Sequence, residues 1–439
     1  MKKLACFVLA VLMLLSLAAC GGKDKPAEPT AAPMDTGQSE DTAEPTLDPA
    51  LAVFDPETDF DNRFGMNYDR LAETADAYYF SANESSYLYY YDKASGERGV
   101  LCPRPECMHD EGRGDANCSG LLHKTCATFN MWDGRLHYYG PESGQFSALY
   151  SMALDGSGRT KDVEIEETGA LAGITPQRLD YHRGKLYGYD LKSIVKDGEP
   201  YWGMYIFSID AETGEFREIV TVLSKDDLTQ PYLYYRTNSV YISYEEYVYN
   251  EQENSIEDFF WHVLRWDIYT EQLEEVAAVD GETLDDPAHA IERRIYIDDD
   301  GRIWSAPMRN NLEGPHRVSV IENGVFSDAF RFETTGACFL IENAAVTIFM
   351  SEHRWEVRRL DGTLIYMGEL DTSFLDDLIE GRTYKSDAIW SIMGNADEIF
   401  ISLGLESTDG SDHRICLVRY DMTGEMPVPT IIALAKENY

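Results

Sequence analysis

The most chemically loaded stretch of this 439-residue sequence is Cys102-Pro103-Arg104-Pro105-Glu106-Cys107-Met108-His109, followed by Cys118, His123 and Cys126. Two chemistries suit such a set. In an exported protein, closely spaced cysteines pair as disulfides, and four of them admit three pairings. The same residues offer soft thiolate and imidazole donors at a spacing that suits tetrahedral zinc. Both readings stay open, and both bring Cys102, Cys107 and Cys118 together, with either His109 as a fourth metal ligand or Cys126 as a fourth thiol. Pro103 and Pro105 fix φ and so lower the entropy of closing the first two sulfurs on each other. Structural zinc is the one cofactor the sequence suggests. Cys338 and Cys416 stand alone and read as small buried apolar residues rather than a bridge.

Catalytic phrases are absent elsewhere. There is no Gly-x-Ser-x-Gly elbow, no His-Glu-x-x-His and no phosphate loop. Asp298-Asp299-Asp300-Gly301 lacks the twelfth-position Glu of a calcium loop and reads as a hairpin turn. With 78 acidic residues against 37 basic ones, any two carboxylates could meet as a glycosidase pair, and only their separation in space would tell. The net charge of −41 excludes nucleic acid and anionic membrane surfaces as partners, since both require positive charge.

The frame that must hold the cysteine cluster is a repeat. A turn followed by alternating aliphatic and aromatic residues recurs about every 50 residues, centred on Tyr78, Leu136, Leu186, Val240, Ile303, Val346 and Ile399. A second phrase, an apolar strand running into an acidic turn, follows each one, as in Tyr90-Tyr91-Asp92 through Glu97 and Arg419-Tyr420-Asp421 through Glu425. Two phrases keeping the same count of seven imply units of four short strands closed by Asp-Gly and Thr-Gly turns. One small sheet cannot bury its own faces, so the units must stack radially. The expected fold is all-β, a β-propeller of seven four-stranded blades, with six blades as the alternative. Residues 51–439 form it, with a Cys-rich insertion at 101–127. Either the segment from Leu51 to Thr74 or that from Val428 to Leu434 is expected to close the ring as an exchanged strand.

Ahead of the repeats, Lys2 and Lys3 precede an apolar run from Leu4 to Leu17 and the small-residue site Ala18-Ala19-Cys20. Residues 1–19 read as a signal peptide, and 20–50, rich in Pro, Ala, Thr and acid, as a disordered tether. Leu17-Ala18-Ala19-Cys20-Gly21 resembles a bacterial lipobox, which implies that Cys20 is diacylated and that the membrane is a partner through this lipid. The repeats resemble the TolB-like and DUF5050-like propellers of exported bacterial proteins. The Cys-Pro-x-Pro-x-Cys-x-His phrase is similar to one in surface lipoproteins of Firmicutes. These resemblances imply a place on the extracytoplasmic face of a Gram-positive cell membrane, and no chemistry. Two functions follow as expectations: a binding or scaffold module for a glycan or protein, suited by abundant Tyr and Trp, or an extracellular glycoside hydrolase or lyase.

Overall fold

The alternating phrases fold as strands because period-2 burial fixes which face of each is covered. The structure is a computed structural model that describes residues 53–65, 69–82, 87–109, 118–122, 128–141, 147–165, 176–250, 255–281, 293–307, 316–333, 336–349 and 352–436. All of these lie in one compact unit, Asp48–Tyr439. Cys20, the tether, His123 and Cys126 lie outside the described residues.

Seven antiparallel sheets, each of consecutive strands in sequence order, make a seven-bladed β-propeller. The innermost strands are Arg70–Glu73, Thr128–Trp132, Arg178–His182, Tyr232–Arg236, Arg293–Ile297, Ala337–Ile341 and Tyr384–Gly394. The recurrent first phrase marks the second strand of every blade rather than its start, as in Ala77–Ser81, Lys185–Lys196 and Glu398–Ser407. The turn before it often runs through the left-handed region, with Asp133 at φ 51° and Gly134 at 64°, as a tight hairpin requires. The acidic second phrase closes the hairpin between the third and outermost strands. There the leading Asp caps its own turn: Asp267 Oδ1 accepts the Tyr269 and Thr270 amides at 3.0 and 2.8 Å. In the turn between the innermost and second strands of blade 5, Asp298 likewise accepts the Asp300 and Arg302 amides, and its Oδ2 accepts Trp304 Nε1 at 2.8 Å, so it is occupied as a turn residue.

Buried apolar side chains gather, among the described residues, into seven clusters, each shared by two neighbouring blades. Large residues such as Trp261, Trp355 and Phe400 are fully enclosed in them, each worth roughly 1.5–3 kcal/mol of transfer free energy. Among the described residues the ring closes without strand exchange, which corrects the expectation for both termini. Arg70–Glu73 is the innermost strand of blade 1 and Val428–Lys436 the outermost of blade 7, each within its own sheet.

Side chains do the closing instead. Phe400 of blade 7 meets Phe64 and Tyr78 edge-on at 5.6 and 5.3 Å, Ser391 donates to Asp69 at 2.8 Å, and the Lys436 amide donates to Tyr89 Oη at 3.3 Å. Residues 53–65 act as a strap on the same contacts. Asn62 exchanges two hydrogen bonds with the Tyr235 backbone at 2.6 and 2.9 Å, and Arg63 bridges Glu73 of blade 1 and Glu398 of blade 7, both at 2.8 Å. Asp59 pairs with Arg183 of blade 3.

Candidate metal centre and the cavities around it

The insertion leaves blade 1 after Arg98–Val100 and makes two short turns. The first spans Cys102 to Cys107 and is closed by the Cys107 amide donating to the Arg104 carbonyl at 3.1 Å. In the second, the Leu121 amide donates to the Cys118 carbonyl at 3.2 Å, and the Gly120 carbonyl accepts the Leu88 amide at 2.8 Å. A bridge between Tyr87 and Leu121 completes the stitch to the third strand of blade 1. Only glycine fits at 120, since a Cβ there would lie 2.5 Å from the Leu101 carbonyl oxygen.

These turns place one ligand atom from each of Cys102, Cys107, His109 and Cys118 within 4.8 Å of one another. Cys118 is 2% exposed, and the three cysteines pack on the core shared by blades 7 and 1. No disulfide joins the described cysteines, so the cross-linked alternative has no counterpart among Cys102, Cys107 and Cys118. Cys338 and Cys416 are separate and buried; burial pushes the Cys416 thiol up to about 12.

The crowded thiols share protons unequally. Burial alone would raise Cys102, but hydrogen bonds from His109, the Arg104 amide and Cys118 outweigh it and bring the thiol to about 6. Burial and the neighbouring Cys102 and Cys107 sulfurs push Cys118 up to about 12. His109 holds φ at 52°, a left-handed conformation that costs a non-glycine residue about 1–2 kcal/mol. Its Nε2 is enclosed without a hydrogen-bond partner. This donor set fits zinc. Bonds of about 2.3 Å to sulfur and 2.0–2.1 Å to nitrogen keep tetrahedral ligands roughly 3.3–3.8 Å apart, within a contraction of about 1 Å.

Beside the cluster, a cleft of ≈ 490 Å³ opens at the seam between blades 7 and 1. Its walls include Tyr87, Tyr89, Met108, His109 and Leu434, and three cations line it: Arg98, Arg414 and Lys436. Arg98 Nη1 donates to the Ile431 carbonyl at 3.1 Å, and Arg414 Nε to the buried Asp412 at 2.9 Å. A second cavity, ≈ 190 Å³, lies under the strap against Phe60, Phe64, Phe129 and Tyr181, and its carboxylates Asp59, Asp61 and Glu73 are held in ion pairs by Arg183 and Arg63.

At the axis the polar groups are occupied structurally. Arg178 is fully buried and pairs with Asp180, which also accepts Tyr235 Oη at 3.1 Å. Tyr232 lies between Arg178 and Arg294, 5.9 and 5.4 Å from its ring centre. His182 accepts the Phe60 amide on Nδ1 at 3.1 Å and donates from Nε2 to the Thr237 carbonyl at 2.8 Å; burial pushes it down to about 4. Glu342 is the exception. Burial, then the Asp61 carboxylate, raise it to about 7 against the pull of Arg63. Its cavity, shared with Tyr232 and Arg294, measures only ≈ 10 Å³, room for about one water.

Sequence reasoning found the cysteines and missed the cations of the cleft. Arg98 and Arg414 are 316 positions apart in number, and no local pattern connects residues that only ring closure makes neighbours.

No protein-family model matches this chain, and no curated protein matches it in sequence. Among solved structures it is similar to a puromycin-hydrolyzing peptidase of Mycobacterium tuberculosis, at TM-score 0.46 and 10% identity over 88% of this chain and 57% of that one. It is also similar to the polysaccharide lyase Uly1, at 0.45 and 10% over 85% and 91%. A third likeness is to the β-propeller domain of the Trilobed protease from Pyrococcus furiosus, at 0.36 and 10% over 71% and 94%. The chain thus spans little more than half the length of that peptidase, and likeness at this level carries no functional argument.

Proposed function

We propose that this chain is a lipid-anchored extracytoplasmic binding module, held on a Gram-positive cell membrane through Cys20, whose propeller retains a glycan or protein without altering it. One contrast between cavities carries the reading. The seam cleft, at ≈ 490 Å³, is in the size range of ligand sites, about 300–1,000 Å³, and none of the described residues lining it is a carboxylate. Glycoside hydrolysis takes a pair of carboxylates about 5–10 Å apart on either side of the substrate. Among the described residues, the carboxylate raised into a range useful for proton transfer is Glu342, which faces a space that admits about one water and no sugar. This disfavours the hydrolase alternative; a lyase, which needs no carboxylate pair, is separated from the binding reading by its unsaturated products.

Within the same proposal, Cys102, Cys107, His109 and Cys118 hold a structural zinc. Its work is mechanical. The cluster sits on the one seam where chain ends meet, and its ligation would tie the insertion to the blade 7–blade 1 core that no shared strand secures.

Full-length protein in detergent, screened on an array of glycans and cell-surface proteins, tests the reading. Retained ligand recovered at unchanged mass supports it. Shortened chains, new reducing ends or unsaturated products would overturn it.

A further inference from the structure

The chemistry of the seam cleft narrows the ligand. We infer that it takes an acidic sugar, a uronate-bearing di- or trisaccharide whose carboxylates sit on Arg98, Arg414 and Lys436, and that the zinc cluster builds one wall of the site. This rests on the binding reading above and deepens it.

Charge is the first argument. Acidic residues outnumber basic ones by 78 to 37 in this chain, yet the charged side chains lining the cleft, among the described residues, are Arg98, Arg414 and Lys436. They come from the outermost strand of blade 1 and from the third and outermost strands of blade 7, so ring closure itself assembles a basic site on an acidic protein. A guanidinium has five N–H donors. Arg98 is oriented by one bond to Ile431 and Arg414 by one to Asp412, which leaves each fork competent for a carboxylate.

Shape is the second. Tyr87 and Tyr89 line the cleft beside the cations as buried side chains, 4% and 6% exposed, and the Lys436 amide on Tyr89 Oη fixes the second ring. With Val100 and Leu434 they make an apolar floor next to the charge, which suits a ligand with C–H faces and carboxylates on one ring. The remaining wall is Met108, 77% exposed, and His109. Neither belongs to a strand, and the position of His109 is set by its place among the three sulfurs. Zinc removal would free this wall, so affinity is coupled to the metal.

The test is calorimetric titration of full-length, zinc-loaded protein in detergent with digalacturonate, its dimethyl ester and tetraglutamate. Expected is saturable binding of digalacturonate, weakened at least about tenfold by esterification, by Arg98→Gln and by Lys436→Gln, as loss of a charge-assisted bond predicts. Chelation should weaken it similarly, with recovery on adding zinc. Arg414→Gln loosens Asp412 and is a poorer probe, whereas Arg98 is exposed and its variant should keep the wild-type Tm.

Equal binding of the ester, equal binding of tetraglutamate, or indifference to Arg98→Gln and Lys436→Gln would overturn the acidic-sugar site. Indifference to chelation would overturn the metal coupling. If digalacturonate fails while another intact ligand is retained on the array, this inference falls and the binding role stands. Turnover on the array removes both.

Discussion

Glu342 is a carboxylate whose surroundings oppose its charge. Its folded-state value of about 7 against 4.5 means that the fold favours the protonated form. Its contribution to stability is therefore complete below about pH 4.5 and lost as pH rises through 7. Glu342→Gln should raise stability at pH 8 by about 1–3 kcal/mol and leave it nearly unchanged at pH 4.5. Chemical denaturation of both proteins at the two pH values checks this, and equal differences would refute it. At this scale the sequence was half legible. Cys102, Cys107, His109 and Cys118 announced themselves because soft ligands are rare and were clustered. Glu342 looked like any of 78 acids, since its perturbation comes from burial and from Asp61 of the strap, neither visible in a local pattern.

Among elements, the insertion and the ring seam bear the most consequence. The second turn of the insertion depends on Gly120, which packs against the Leu101 carbonyl and the Val100 side chain. Gly120→Ala should lose about 1–3 kcal/mol through overpacking and release zinc faster to a chelator, measured by a colorimetric exchange assay. Unchanged release would show that the turn does not hold the cluster. Phe400 joins Phe64 and Tyr78 across the seam and is fully buried. Phe400→Ala should cost about 3–5 kcal/mol in denaturant unfolding, and a loss below about 1 kcal/mol would mean that the seam is secured elsewhere.

The blade count was legible because two independent phrases kept it. The rank of each phrase within its blade was not. Alternation identifies a strand but not its hydrogen-bonded neighbours, and innermost strands such as Arg178-Leu179-Asp180-Tyr181-His182 break the apolar pattern with a buried ion pair. Ring closure was left between two termini as strands, whereas Arg63 of the strap and side chains such as Phe400 and Ser391 span the seam, for which no periodic signal exists.

Over the whole molecule, the proposal joins a seven-bladed propeller to a zinc clasp at the seam between blades 7 and 1 and to a lipid on Cys20. The lipid part predicts that Cys20→Ala moves the protein from the detergent-rich to the aqueous phase on partitioning, because acyl burial of about 0.8 kcal/mol per methylene supplies the anchoring. Unchanged partitioning would contradict it. The fold explains why such a molecule needs a clasp. Every blade is built from consecutive strands, so among the described residues no sheet links the last blade to the first, and the seam is held by side chains and by what packs on them. The central claim is therefore the metal itself. Zinc-edge X-ray absorption on full-length protein, purified without added metal, should show three sulfurs at about 2.3 Å and one nitrogen at about 2.0–2.1 Å around a single zinc. A shell of oxygen and nitrogen alone, or protein free of zinc with Cys102, Cys107 and Cys118 in disulfides, would contradict it.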